Sequence, residues 1–555
     1  MFRPAWQILD SSRPSSIDEV MDMLLRNRGV GSSFLEGKLK DLEPCLDMRG
    51  MRHGAQLMAD HLAAGSKLIL VGDYDGDGVT ALAQMDHFLR DIGFRNRVAV
   101  VPKRSEGYGI PGRAVAQHSD AGLLVAMDCG TTDVRTIAEA KKQGMDCIVI
   151  DHHEVPDHGS APADVLINPK HPQCPSAFKE YCAAGLTLLF LAALRRCLPP
   201  MFPTMSLGGK YLALAAIGTV TDMVPLVEGN RILVRQGLCS INNGTILPIQ
   251  QLIKATGLRD KAVTAGHIAY YLGPRLNAAG RVADARTAFE LLTSDNPDEA
   301  ANLAARLNRF NAMRQHEEDS ILKEVRNLYS ARSVGQRTVV MGDPAWSPGV
   351  VGIVASRVVQ EIHYGPTIIL SIDEAEGVAR GSARSIPEFD LHDALKGCSD
   401  LLVKWGGHRM AGGLTVSLDC LESFAARFED IAGEYPSQVF LPKARTDMEL
   451  PVNLVTGDLW ETLKRLEPFG IGNPTPTFTL RKTRVSISRV FGRNRNHLRL
   501  ALGDGTDAIF WRGLSHLNDG GWRDGDILDV IVQMDWDAAR QKTLLTVKDV
   551  GRLLR

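Results

Sequence analysis

No CxxC pair occurs in the chain, and its nine cysteines are scattered and odd in number. That argues against a complete disulfide framework and for a reducing compartment, where buried cysteine acts as a small apolar residue. No apolar run approaches the roughly 20 residues of a membrane span. The opening "MFRPAWQILDSSRPSS" also lacks the apolar core of a signal peptide, so a cytoplasmic protein without a membrane partner is expected. An excess of one charge is missing too: with a net charge of -2 the chain as a whole does not attract nucleic acid, and any such attraction must come from local clusters. Repeats and low-complexity tracts are absent. What remains is ordinary globular composition, 44% hydrophobic and 23% charged over 555 residues, too long for one core and enough for about three or four domains.

After an N-terminal extension over 1–50, the region 51–295 alternates short apolar runs with helical patterns. "KLILVG", "RVAVVP", "GLLVAMD" and "DCIVID" lack polar alternation, which suits strands buried on both faces of a doubly wound parallel sheet. Residues 296–332 carry apolar residues at helical spacing behind Asn, Pro and acids, predicting one long connecting helix or two. A second α/β lobe follows over 333–440, with "TVVMG" and "PTIILSI" as strands and a glycine-rich "WGGHRMAGG" loop. From 441 to 555 short strands separated by turn residues predict a small all-β, OB-like barrel.

The chemistry concentrates at the strand ends of the first lobe, where ligands of open α/β sheets bind. Asp73, Asp75 and Asp77 lie in "DYDGDG", Asp128 in "MDCGTTD", Asp151, His152 and His153 in "DHHE", and Asp222 in "GTVTDMVPL". Any one aspartate there is as well explained as a helix cap or turn former. Four such clusters on one edge would repel one another unless cations held them. Carboxylate and imidazole without thiolate suit Mn²⁺ or Mg²⁺, and there are ligands for two divalent ions, the arrangement that hydrolyses phosphoesters by in-line displacement. An EF-hand fits poorly, since Gln84 stands where a bidentate Glu is needed and a strand-like run precedes the loop. A dinucleotide-binding loop fits no better, because the glycine spacing is not GxGxxG. A haloacid-dehalogenase-type phosphatase would use Asp75 as nucleophile but leaves "DHHE" unexplained.

In their order, these four motifs resemble motifs one to four of the DHH phosphoesterase superfamily, and "GGHRMAGG" resembles its DHHA1 domain. "PKRSEGYG", "LGPRLNAAGR", "SPGVVGIVASR", "GSARS" and "EPFGIGNPTPTF" are similar to the superfamily's bacterial branch of single-strand-specific 5′-to-3′ DNA exonucleases. The resemblance implies a DHH catalytic domain, a DHHA1 domain and an OB-like nucleic-acid-binding domain over the three regions given above. It implies hydrolysis of single-stranded DNA to mononucleotides in recombination and repair, with a single-strand-binding protein and a helicase as partners. Asp73, Asp75, Asp77, Asp128, His152 and Asp222 would hold the metals, with Asp128 as bridge. His153 would contact the scissile phosphate or its leaving group, and Asp151 would orient the imidazoles. One departure is Ser347, where that branch usually carries histidine before Pro-Gly, so a histidine contact is missing from the second lobe.

Two basic groups suit a terminal phosphate: Arg275, Asn277 and Arg281, with Arg104 in "PKRSEGYG"; and Ser382, Arg384 and Ser385, with His408 and Arg409. A third lies between Arg481 and Arg499, where seven Arg or Lys occur with no acid. Its Arg484, Arg489, Arg493 and Arg495, with Phe491, Phe510 and Trp511 for stacking, are candidates for holding single strands. A DHH enzyme for small phosphoesters or short oligonucleotides, and a catalytically inactive strand-binding relative, are the alternatives.

Overall fold

The computed structural model describes residues 5–551 apart from 158, 245, 260, 331–334, 493–494, 504, 519–521 and 538–539. The chain forms two compact units: Val30–Met313 with Arg465–Thr475, and Met1–Gly29 with Arg314–Lys464 and Pro476–Arg555.

The first unit is built on a five-stranded parallel sheet, in spatial order Arg97–Val100, Leu68–Gly72, Leu123–Met127, Asp146–Ile150 and Val165–Ile167. Leu68–Gly72 and Leu123–Met127 are buried at every residue, as the unalternated runs predict. Leu68, Leu70, Leu123 and Val125 pack under one helical layer containing Gly76–Asp91, Ala183–Cys197 and Lys210–Thr221. Ile69, Val71, Leu124 and Ala126 pack under the other, against Ala114, Val115, Ile137 and Ala140. Strand order reverses beside Leu68–Gly72, so the crevice of this doubly wound sheet opens beyond its carboxyl end.

A single helix, Pro297–Ser330, spans the boundary between the units; Asn296 caps it by accepting from the amides of Asp298 and Glu299. In the second unit a mixed sheet runs Leu402–Gly407, Ala411–Ser417, Val378–Arg384, Thr367–Asp373, Val339–Asp343. The glycine-rich "WGGHRMAGG" is a hairpin of this sheet rather than a loop. Gly407, at φ +143°, approaches Gly412 so closely that a Cβ would lie 2.4 Å from its Cα. "VARGSAR" is likewise a strand, hidden from pattern reading because its side chains are small or basic.

The C-terminal strands close a five-stranded barrel: Phe478–Phe491, His497–Leu502, Thr506–Phe510, Lys542–Gly551, Ile527–Asp537 and back to the first, with helix Gly513–Asn518 after the third strand. That is the OB arrangement. Its sheet is extended by Lys443–Glu449 and by the N-terminal strand Ala5–Asp10, which pair in parallel, and Trp6 Nε1 donates to Asp549 Oδ2 at 2.7 Å. Phe478 is fully buried in this core. Phe478→Ala is expected to cost about 3–5 kcal/mol, read as a lower urea midpoint of the barrel's unfolding; an unchanged midpoint would show that the core lies elsewhere.

Candidate metal centre and nucleic-acid contacts

Beyond Gly72 the chain turns into helix Gly76–Asp91, and Asp75 caps it, accepting from the amides of Asp77 (2.9 Å) and Gly78 (3.1 Å). Gly78 is required there: a Cβ would stand 2.4 Å from the Asp73 nitrogen. Asp77, fully buried in the first turn, accepts from the amides of Ala183 (2.7 Å) and Ala184 (2.9 Å), the N-terminus of helix Ala183–Cys197. Asp128 follows its strand in the left-handed region at φ +63°, a conformation a non-glycine residue holds only where its surroundings impose it.

Asp151 Oδ1 accepts from the amides of His152 and His153 and from His153 Nδ1 at 2.7 Å, and Oδ2 accepts from the Thr131 amide. Asp222 closes the C-terminal end of Lys210–Thr221, the negative end of that helix, which suits a carboxylate only if positive charge is near.

These residues converge. His152 Nε2 lies 3.3 Å from Asp128 Oδ1, 3.6 Å from Asp222 Oδ2 and 3.8 Å from Asp77 Oδ2. Three sets of donor atoms lie close enough to share an ion: Asp73, Asp75 and Asp128; Asp77, His152 and Asp222; and Asp128, His152 and His153. Asp128 and His152 each belong to two of them. Burial, then the neighbouring Asp75, pushes Asp73 up to about 8 and Asp77 up to about 6; Asp128 and Asp222 are also raised, by burial and then by neighbouring aspartates. His152 is pushed down to about 4 by burial and by His153, so it is neutral at pH 7 with a lone pair to offer. Burial also raises Asp151, but the hydrogen bond and charge of His153 and the Thr131 amide outweigh it and hold the carboxylate ionised. Among the described residues, His152 Nε2 and Asp73 Oδ1 are buried without a hydrogen-bond partner. Buried orphan donors among mutually repelling carboxylates fit divalent cations.

Two residues escaped the sequence reading. Tyr108, in the quoted "PKRSEGYG", has its hydroxyl 2.9 Å from His153 Nδ1 and donates to the Asp128 carbonyl at 3.1 Å. Asn168, buried, donates to the His153 carbonyl at 2.9 Å and to Thr131 Oγ1. The motif had flagged the first, while "INPK" offered no signal for the second.

The basic candidates fall into different surroundings. Arg104 Nε donates to the Gly280 carbonyl, and its guanidinium lies 4.7 Å from the Tyr74 ring centre. Arg275 donates to Asn308 and to the Tyr271 carbonyl, Arg281 is half-buried beside Tyr74, and Asn277 Oδ1 accepts from the Gly76 amide at 2.7 Å, bracing the first motif. In the other unit Arg384 donates to Ser356 and Ser382 next to Gly352, in the first turn of helix Val351–Glu361, and burial lowers its pKa. Ser385 spends its hydroxyl on the Phe389 carbonyl, Arg409 donates to the Pro387 carbonyl, and His408 is exposed. Ser347 Oγ accepts from the Gly349 amide.

On the barrel Arg484, Arg489 and Arg495 are exposed, and Arg493 lies outside the described residues. Phe510 is core, whereas Trp511 is 53% exposed, with its ring 5.8 Å from Phe491 and 5.0 Å from His497.

A crevice with "DHH" at the end of its strand Asp146–Ile150, followed by the glycine hairpin, defines the DHH/DHHA1 class. Models of the DHH family N-terminal domain, the DHHA1 domain and the RecJ OB domain match residues 67–219, 335–434 and 446–548. The single-stranded-DNA-specific exonuclease RecJ of Bacillus subtilis is 31% identical over 98% of this chain and 70% of its own, and that of Thermus thermophilus 34% identical over 88% and 68%. The crystal structure of the Thermus thermophilus RecJ in complex with Mn²⁺ superposes with a TM-score of 0.82 at 28% identity, covering 99% of this chain and 80% of that one. A second structure, exonuclease RecJ bound to manganese, gives 0.59 at 32% identity over 71% and 96%. The chain belongs to the RecJ family.

Without metal, carboxylates raised to about 8 and about 6 hold more protons in the folded than in the unfolded chain. Stability of the chelator-treated protein is therefore expected to fall as pH rises from 6 to 8, with Mn²⁺ reversing the loss. A thermal midpoint that rises with pH in chelator would contradict this electrostatic account.

Proposed function

We propose that the chain is a metal-dependent exonuclease that degrades single-stranded DNA from its 5′ end to mononucleotides, in the service of recombination and repair in the cytoplasm. Membership of the RecJ family supports it, and one observation carries it: Asp128 and His152 each belong to two overlapping groups of metal-ligating atoms at the end of a parallel sheet. Asp73, Asp75, Asp77, Asp128, His152 and Asp222 would hold two divalent ions, Mn²⁺ or Mg²⁺. Bound there, the ions supply an activated water and charge neutralisation for attack on phosphorus.

The chain's own part is positioning. Asp151 fixes His153 through Nδ1, presenting a half-exposed imidazole to the phosphate or to the 3′ oxygen that leaves with the released nucleotide. The Tyr108 hydroxyl steadies the same ring. Arg384, with a half-buried guanidinium, Ser382 and the first turn of a helix beside it, suits a 5′-terminal phosphate. Trp511, Phe491 and the exposed arginines around them suit a stacked, sequence-independent strand. Among the described residues no helix is long and apolar enough to cross a membrane. Single-stranded DNA is the proposed substrate, and a single-strand-binding protein and a helicase complete the family's expected partners.

The deciding experiment is degradation of a single-stranded oligomer labelled at either end, with Mn²⁺ or chelator, beside the matching blunt duplex. Immediate metal-dependent release of the 5′ label from single strands alone is expected, and release of the 3′ label first overturns the polarity. Asp128→Ala should abolish cleavage, a loss of at least about 100-fold, while DNA binding persists; near-normal turnover would remove the two-metal assignment. Arg384→Ala should weaken the preference for a 5′-phosphorylated end, and equal loss on phosphorylated and unphosphorylated ends would defeat that role.

A further inference from the structure

We infer that the segment Arg465–Thr475, the "EPFGIGNP" motif, is a positioning element for Asp222; this rests on the proposal that Asp222 is a metal ligand. Three acids of the centre are fastened by amides: Asp75, Asp77 and Asp151 each accept at least two backbone N–H bonds. Asp222 is not. Among the described residues its side chain has no hydrogen-bond partner, and the neutral imidazole of His152 lies 3.6 Å away. Its position is therefore set by the backbone turn that carries it. That turn leaves the helix at Asp222, reverses at Met223 with φ +63°, and runs through Val224, Pro225 and Leu226 into helix Glu228–Asn242.

The turn is gripped at Pro225 and Leu226 from two sides. From within, the buried Asn230 donates to the Pro225 carbonyl at 3.0 Å and to the Glu180 carbonyl at 2.6 Å. From the far end of the chain, the Leu226 amide donates to the Ile471 carbonyl at 2.7 Å. Contact that close needs glycine on both sides of Ile471. A Cβ on Gly470 would lie 2.7 Å from Leu226 Cδ1, and one on Gly472, at φ +74°, would lie 3.0 Å from Pro225 Cβ. Only Met223, Val224 and Pro225 lie between Asp222 and Leu226, so little slack remains between grip and ligand.

The segment is itself locked in place. Gly470 and Asn473 exchange backbone hydrogen bonds, and the fully buried Asn473 side chain donates to the carbonyls of Leu466 and Pro468. Arg231, 3% exposed, donates to the carbonyls of Leu466 (2.6 Å), Arg465 (2.9 Å) and Phe34 (3.0 Å), five residues along from Leu226. Burying a guanidinium against backbone carbonyls is costly unless every bond is kept, so segment and turn move together. Outer contacts that orient a metal ligand typically change affinity 10–100-fold when removed.

The test is Mn²⁺ titration of the full-length chain by calorimetry and by the paramagnetic resonance of free Mn²⁺, with melting of the chelated protein as a folding control. Gly472→Val and Asn473→Ala are expected to weaken Mn²⁺ binding about 10-fold or more and to lower kcat with KM for DNA unchanged. Arg231→Lys, which keeps the cation, should fall between these and wild type. Wild-type Mn²⁺ affinity in folded variants overturns the inference. Should Asn473→Ala or Gly472→Val fail to fold, Leu226→Ala loosens the same contact from the other side and is read in the same way. If the wild-type chain itself takes up no Mn²⁺, the proposed function fails; if it binds Mn²⁺ and every variant binds equally, the function stands and only the role of the segment is lost.

Discussion

Mutual repulsion among carboxylates crowded at one end of a parallel sheet is the constraint that organises the first unit. Asp73, Asp77, Asp128 and Asp222 are all displaced toward the protonated form, by burial first and then by the charge of neighbouring aspartates, Asp75 among them in every case. An arrangement of this kind stores electrostatic cost in the metal-free fold and returns it when cations bind, so affinity is built into the scaffold. The same crowding explains why so much backbone is committed to fixing these groups: helix N-termini face Asp75 and Asp77, and the amides of Thr131, His152 and His153 face Asp151. Free to relax, the carboxylates would turn apart.

Much of the first unit was legible because its determinants are local. Runs such as "LILVG" specify strands buried on both faces, and the acidic motifs follow directly at their ends, so which edge carries the chemistry could be read from order alone. The barrel was legible through regularly spaced short strands. What stayed hidden depends on contacts distant in sequence. The amides holding Asp77 come from Ala183 and Ala184, whose methyl side chains advertise no such role. Asn277 is read as a phosphate contact because it lies between two arginines, and nothing in the sequence shows that its carbonyl oxygen also braces the Gly76 amide. The strand through Arg384 and the glycine hairpin were obscured because glycine and serine read as loop when only propensity is consulted.

The N-terminal strand carries a different consequence, concerning the order in which the molecule is made. Ala5 pairs with Lys443, 438 positions along the chain, so at ordinary translation rates of about 5–20 residues per second the strand waits roughly 20–90 s for the strand that receives it. During that interval Ala5–Asp10 is an unpaired β edge. Its Ala, Gln and Leu alternate outward, and an aspartate closes the strand, so it has only modest protection against pairing with the wrong neighbour. The catalytic sheet, whose strands all lie between Leu68 and Ile167, has no such wait. Biogenesis of this protein is therefore asymmetric: the strands of the catalytic sheet are made early, while the grip of Arg465–Thr475 on the turn after Asp222 and the pairing of Ala5–Asp10 with Lys443–Glu449 both come late.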